Sequence, residues 1–162
     1  MKKVILTLLS VVFAATIANA QEKDSTHKKW TVYTASIQGN NTCYIASFPE
    51  SKTGNYRKRD EPYFLVTKIN NGVFEVSTSS GYGYKKNSDV KVDIDGKKHN
   101  MFTKGELAWA TDSTQDKKMV ADMKAGNRMT IRGTSTLGTY SLDKYSLSGF
   151  TAAFERMDSL CK

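Results

Sequence analysis

From Trp30 onward, short runs of β-branched and aromatic residues recur along the chain, at Trp30–Ala35, Cys43–Phe48, Tyr63–Ile69, Val73–Ser77, Val90–Ile94, Met129–Gly133 and Tyr140–Leu142. Such residues suit a pleated, half-buried surface, and these runs are predicted strands. In the fifth, Val90, Val92 and Ile94 share one face while Lys91 and Asp93 share the other, the two-residue period of a sheet with a dry side and a wet side. Gly39-Asn40-Asn41, Asn70-Asn71-Gly72 and Asp95-Gly96 supply residues that accept the positive φ of tight turns, and Asn71-Gly72 is the best hairpin signal. Glu50–Glu61 and Ser79–Ser88 are polar enough to be surface loops. Two stretches change to a helical period. One starts near Ser113, where Ser113 and Asp116 have capping-box spacing, and stops at Gly126, with Met119, Val120 and Met123 as its apolar stripe. The other runs from about Ser148 to Leu160 and aligns Phe150, Ala153, Phe154 and Met157. The fold these elements predict is mostly β: a β-sandwich of short antiparallel strands with two short α-helices packed at its margin.

The first 20 residues follow another pattern. Lys2 and Lys3 precede the apolar run Val4–Ile17 and the small-residue triplet Ala18-Asn19-Ala20. That is the order of a cleavable secretory signal peptide, and the run is shorter than the roughly 20 residues a membrane-spanning helix needs. The expected organisation is a signal peptide over 1–20, a polar flexible leader over 21–29 and one domain over 30–162. Removing 20 of the 162 residues leaves 142, a single-core length, and losing Lys2 and Lys3 lowers the formal charge from +8 to +6. No later stretch reaches transmembrane length. In an exported protein, Cys43 and Cys161 read first as a disulfide, with two buried thiols as the alternative.

Catalytic and metal constellations are scarce. His27 falls in the leader and His99 follows Lys97-Lys98, so both read as solvated loop histidines, and neither has the companions a zinc site or a serine nucleophile needs. Gly133–Gly138 has phosphate-loop glycine spacing, but Thr139 replaces the lysine that contacts phosphate. Asp93-Ile94-Asp95-Gly96 lacks the first and last ligands of a calcium loop, and a turn explains it. Asn40-Asn41-Thr42 fits a glycosylation pattern and likewise reads as a turn. No catalytic, cofactor-binding or metal residue is assigned.

The positive features are the basic clusters Arg57-Lys58-Arg59, Lys85-Lys86 and Lys97-Lys98, with Lys117-Lys118 on a helix. Such clusters attract acidic glycans or lipid headgroups, and equally serve as a solvated surface. Nucleic acid is not an expected partner, since no binding motif accompanies the charge. Tyr82 and Tyr84, alternating with Gly81 and Gly83, are candidates for stacking on a sugar ring or for hairpin packing, and packing is the favoured reading.

Five segments taken in order resemble the invasion-associated locus B family over nearly the whole chain after residue 29. They are Trp30-Thr31-Val32 followed by Cys43; Gly105–Ala110; Met119-Val120 through Met123 to Gly126; Met129 with Gly133-Thr134-Ser135; and Tyr145–Ala153 ending at Cys161. Members often carry another cysteine four positions after the tryptophan, where this chain has Thr34. The resemblance implies a β-rich exported protein, in some members associated with the outer membrane and with host-cell invasion, and it supplies no catalytic site. The expected function is therefore a non-enzymatic envelope or secreted protein that binds an envelope component or a host surface. A structural or chaperone-like periplasmic role is the alternative. An enzyme built on two distant carboxylates comes third.

Overall fold

The structure, a computed structural model, describes residues 21–37, 40–70 and 72–161, so the predicted signal peptide lies outside the described residues. Eleven strands and two helices follow in the order β1 (Gln21–His27), β2 (Trp30–Ile37), β3 (Asn40–Ser47), β4 (Ser51–Gly54), β5 (Tyr63–Asn70), β6 (Val73–Ser79), β7 (Asp89–Ile94), β8 (Lys97–Lys104), β9 (Leu107–Trp109), α1 (Ser113–Ala125), β10 (Arg128–Thr134), β11 (Tyr140–Ser146) and α2 (Phe150–Leu160). The strands form one antiparallel sheet in the order β1-β2-β3-β5-β6-β9-β8-β7-β10-β11-β4. The sheet bends back on itself. β6 and β9 share only two residue pairs, Ser77 with Trp109 and Thr78 with Ala108, so the two halves are joined by a narrow hinge of sheet. At the far side Trp30 Nε1 donates to the Ser146 carbonyl at 3.1 Å, and Lys29 N donates to the Ser148 carbonyl at 3.2 Å. The result is sandwich-like, as the alternation predicts.

The inward positions of both halves make one core. Trp30 sits at its centre, edge-on to Phe150 at 4.9 Å and to Phe64 at 6.2 Å, and Val66, Val92, Met101 and Ile131 fill around it, all fully buried. α2 lays Phe150, Ala153, Phe154 and Met157 over the open side. Cys161, just past α2, is bonded to Cys43 in β3, so the helix is covalently fastened to the sheet it covers. The start of α2 is tight: a Cβ at Gly149 would meet the His27 carbonyl oxygen at 2.0 Å.

Several elements differ from expectation. Gln21–Lys29, expected to be a flexible leader, contains β1. Its polar residues form an edge strand because β2 supplies the hydrogen bonds and little of β1 needs burial. The Glu50–Glu61 loop contains β4, which pairs with β11, again an exposed edge. Asn40-Asn41-Thr42, expected as a turn, opens β3. The α1 cap is Asp112, not Ser113: its carboxylate accepts from Thr114 N at 2.8 Å and Gln115 N at 3.0 Å. Asp116 is thereby free to turn sideways, and it accepts from Val76 N of β6 at 2.8 Å, where β9 no longer provides a partner. Burial raises the Asp116 pKa against that hydrogen bond. The Asp95-Gly96 turn stands as predicted, with φ of 46° and 94° joining β7 to β8.

Candidate functional site

The cations singled out in the sequence do not assemble into one patch. Lys85 and Lys86 are exposed just before β7, whereas Lys97 and Lys98 lie beyond its other end, about 20 Å away for a six-residue strand. Lys97 pairs with Asp122 at 2.5 Å and Lys98 pairs with Asp93. Arg57 and Lys58 are exposed, but Arg59 turns inward. Its side chain is 3% exposed, and its guanidinium grips Asp143, 1% exposed, with two parallel hydrogen bonds, one of them 2.7 Å long. Burial, the largest single influence, opposes the Arg59 charge. The bonds and field of Asp143, with help from Tyr56, outweigh it and hold the pKa above its ordinary value. Arg59 also donates to the Ser80 carbonyl at 3.0 Å and lies 4.3 Å from the Tyr56 ring centre. It is an internal tie, not a surface charge.

That tie organises a buried polar layer. Tyr82 hydroxyl and Ser141 Oγ are 2.7 Å apart, and Tyr84 donates to Ser80 Oγ at 2.9 Å. Tyr82 and Tyr84 meet edge-to-face at 5.6 Å. Burial pushes both hydroxyls, and that of Tyr145, up from the usual phenol range. Tyr84 is 5% exposed, which leaves it no open ring face for a sugar, and its edge-to-face contact with Tyr82 is the packing arrangement favoured from the sequence. The layer fits around Gly133, where a Cβ would come within 2.8 Å of Ser80, Tyr82 and Tyr84 together. The 133–138 segment that imitates a phosphate loop is thus the end of β10 and the turn into β11.

His99 also departs from expectation. It lies in β8, 5% exposed, with Nε2 3.0 Å from Asp122 Oδ2 on α1, because the strand alternation turns it inward between exposed Lys98 and Asn100. The hydrogen bond from Lys97, then burial in opposition, then His99, leave Asp122 below the usual carboxylate range. His27 ends β1 beside Ser25, its Nε2 3.2 Å from Ser25 Oγ. Among the described residues no three His, Cys, Asp or Glu side chains converge as metal ligands, and no helix is long and apolar enough to cross a membrane.

A shallow aromatic groove lies on the outer side of the first half-sheet. Tyr33 of β2 and Tyr44 of β3 are direct cross-strand partners and stack at 5.2 Å with an interplanar angle of 16°. Together with Phe48, Tyr63 and Leu65 they line a groove of about 390 Å³, and Phe48 is 52% exposed. Burial, then Tyr33, raise the Tyr44 pKa, so the Tyr44 hydroxyl stays a neutral hydrogen-bonding group. These residues escape a search for charged or catalytic motifs. The signal they do carry is a broken alternation: in β2, β3 and β5 the positions between core residues should be polar, and Tyr33, Tyr44 and Leu65 occupy them.

The family model described as "Invasion associated locus B (IalB) protein" matches residues 30–158. No curated protein matches the chain. A crystal structure of invasion associated protein B from Bartonella henselae superposes with a TM-score of 0.62 at 19% sequence identity, covering 86% of this chain and 97% of that one. At this identity the neighbour speaks to the fold, and its sandwich-like architecture is the one described above. On the match over residues 30–158, which carries the core tryptophan, α1 and all but the last two residues of α2, the chain belongs to the invasion associated locus B family.

Proposed function

We propose that the protein is exported, remains in the periplasm, peripheral to the outer membrane or secreted, and contributes to host-cell invasion or colonisation by binding a partner without catalysis. The observation that carries this reading is the outer groove. Stacked Tyr33 and Tyr44, exposed Phe48 and their neighbours spend apolar surface on water in the free protein, and a contiguous patch of this kind is characteristic of a recognition surface. Tyrosine supplies large contact area at low entropic cost, with a hydroxyl for orientation. Export is supported by the order of residues 1–20 and by the bonded cysteines, which belong to an oxidising compartment.

The test is complementation. In a strain lacking the gene, wild-type protein restores host-cell uptake, whereas Tyr33→Ala/Tyr44→Ala restores less than about a tenth of it, as expected when central aromatic contacts are lost. Envelope permeability is measured in the same strains. Full uptake with the double variant would refute the groove, and a permeability defect that tracks the uptake defect would favour the structural or chaperone-like role instead.

A further inference from the structure

The opposite end of the outer face has a different character. Strand register places Lys91 of β7 directly beside Arg132 of β10, with Asn100 of β8 on its other side. The adjoining row brings Lys98, Asp93, Thr130 and Lys144 together across β8, β7, β10 and β11. Between the rows lies a depression of about 380 Å³. Like charges directly opposite on one face of an antiparallel pair repel and cost stability. Other strand cations meet carboxylates: in the adjoining row Lys98 has Asp93, and away from this face Lys97 has Asp122 and Lys68 has Asp158. Lys91 has only Asp89 at 3.5 Å, with both side chains about half exposed. Arg132 lies 4.2 Å from the centre of the Tyr140 ring, and among the described residues neither it nor Lys144 is ion-paired. The fold therefore maintains a repulsive cation pair in a solvent-facing depression with hydrogen-bonding neighbours.

We infer that this face is a docking surface for an acidic polysaccharide, with a carboxylate or sulfate held between Lys91 and Arg132. An anion there converts the repulsion into two charge-assisted contacts, and the guanidinium offers parallel donors that fit it. A polymer fits better than a single ion because the cations continue: from Lys91 on β7 to Lys144 on β11 the face crosses two strand spacings, about 10 Å. At the β8 end, Phe102 follows Asn100 on the same side and stacks with Trp109 at 5.7 Å, leaving aromatic surface against which a sugar ring can pack. The inference rests on the reading that the protein acts by binding, and it names a second surface and a chemical class for what binds there.

Binding of the purified protein to dextran sulfate and to polygalacturonate, with neutral dextran as reference, tests it. Lys91→Gln/Arg132→Gln is expected to weaken binding to at least one acidic polymer by about tenfold or more, the loss of charge-assisted contacts. Lys117→Gln/Lys118→Gln removes the same charge from the exposed side of α1, and is expected to stay within about twofold because remote charges are screened. Lys91→Glu adds a readout that a structural role would not give: melting temperature rises as the repulsive pair becomes attractive, while binding falls. Equal losses in the two double variants, no binding by the wild type, or tighter attachment to phosphatidylglycerol vesicles that Arg132→Gln abolishes would each overturn the proposal. The tyrosine variants in the uptake assay report separately, so failure of one surface leaves the other standing.

Discussion

Arg59 shows how far a residue's role can depart from its local sequence. Flanked by Arg57 and Lys58, it belongs by composition to a surface cluster, yet its partner Asp143 stands 84 positions away and is visible only once β11 is in place. Replacing Arg59 by Leu is expected to cost about 3–5 kcal/mol in urea denaturation, because the Asp143 carboxyl would be left without its partner inside the fold. Combining Arg59→Leu with Asp143→Leu should recover much of that loss, since the pair itself carries a large desolvation penalty. His99 follows the same logic at smaller cost. Lys97-Lys98-His99-Asn100 looks like loop because each outward residue is polar, and the buried one is a histidine held through Nε2 by Asp122 rather than an apolar marker. Where the inward positions are aliphatic, as at Val90, Val92 and Ile94, alternation is sufficient to read both the strand and its faces.

At the scale of elements, the legible part is the one with a buried side. The strands with aliphatic inward positions and both amphipathic helices follow from periodicity, whereas β1, β4 and most of β8 present polar residues and owe their strand conformation to a neighbour's unpaired backbone. β1 is held from the side by Arg156 of α2, whose Nε and Nη2 donate to Asp24 at 2.9 and 2.6 Å. Those hydrogen bonds, with that of Ser25, lower the Asp24 pKa to about 2 from the usual 3.8. A carboxylate with a depressed folded-state pKa contributes stability in full above 3.8, and loses it as pH falls toward about 2. Amide exchange in β1 should therefore accelerate across that window, and Asp24→Asn should show the faster exchange already at neutral pH. α2 has a stronger tie. Cys43 and Cys161 are 118 positions apart, and Cys161→Ser is expected to lower stability by about 4–5 kcal/mol in the chain-entropy account, measured against the oxidised wild type.

For the whole molecule, a single sheet folded over at the narrow β6–β9 junction gives one shared interior and one continuous exterior. The interior holds the tryptophan-centred core and the Arg59–Asp143 layer. The exterior carries an aromatic groove on one half and a cationic face on the other, both on rigid strands rather than loops. Neither outer surface emerges from a linear search for motifs, because each is composed of residues brought side by side by register: Tyr33 with Tyr44, Lys91 with Arg132. An open sheet of this kind also has two borders that closure would have removed. One is β4, only four residues long and carrying Lys52; the other is β1, whose exposed Glu22, Lys23 and Asp24 interrupt any flat hydrogen-bonding edge and whose register slips between Lys23 and Ser25. Without β1, the border would be β2, eight residues with Tyr33 already facing outward. Deletion of residues 21–27 should consequently yield a protein that forms thioflavin-positive polymers, while the intact chain at the same concentration stays monomeric in sedimentation. The plain polar strand is then a safeguard against self-assembly, which lets a protein with sticky outer surfaces accumulate without joining its own copies edge to edge.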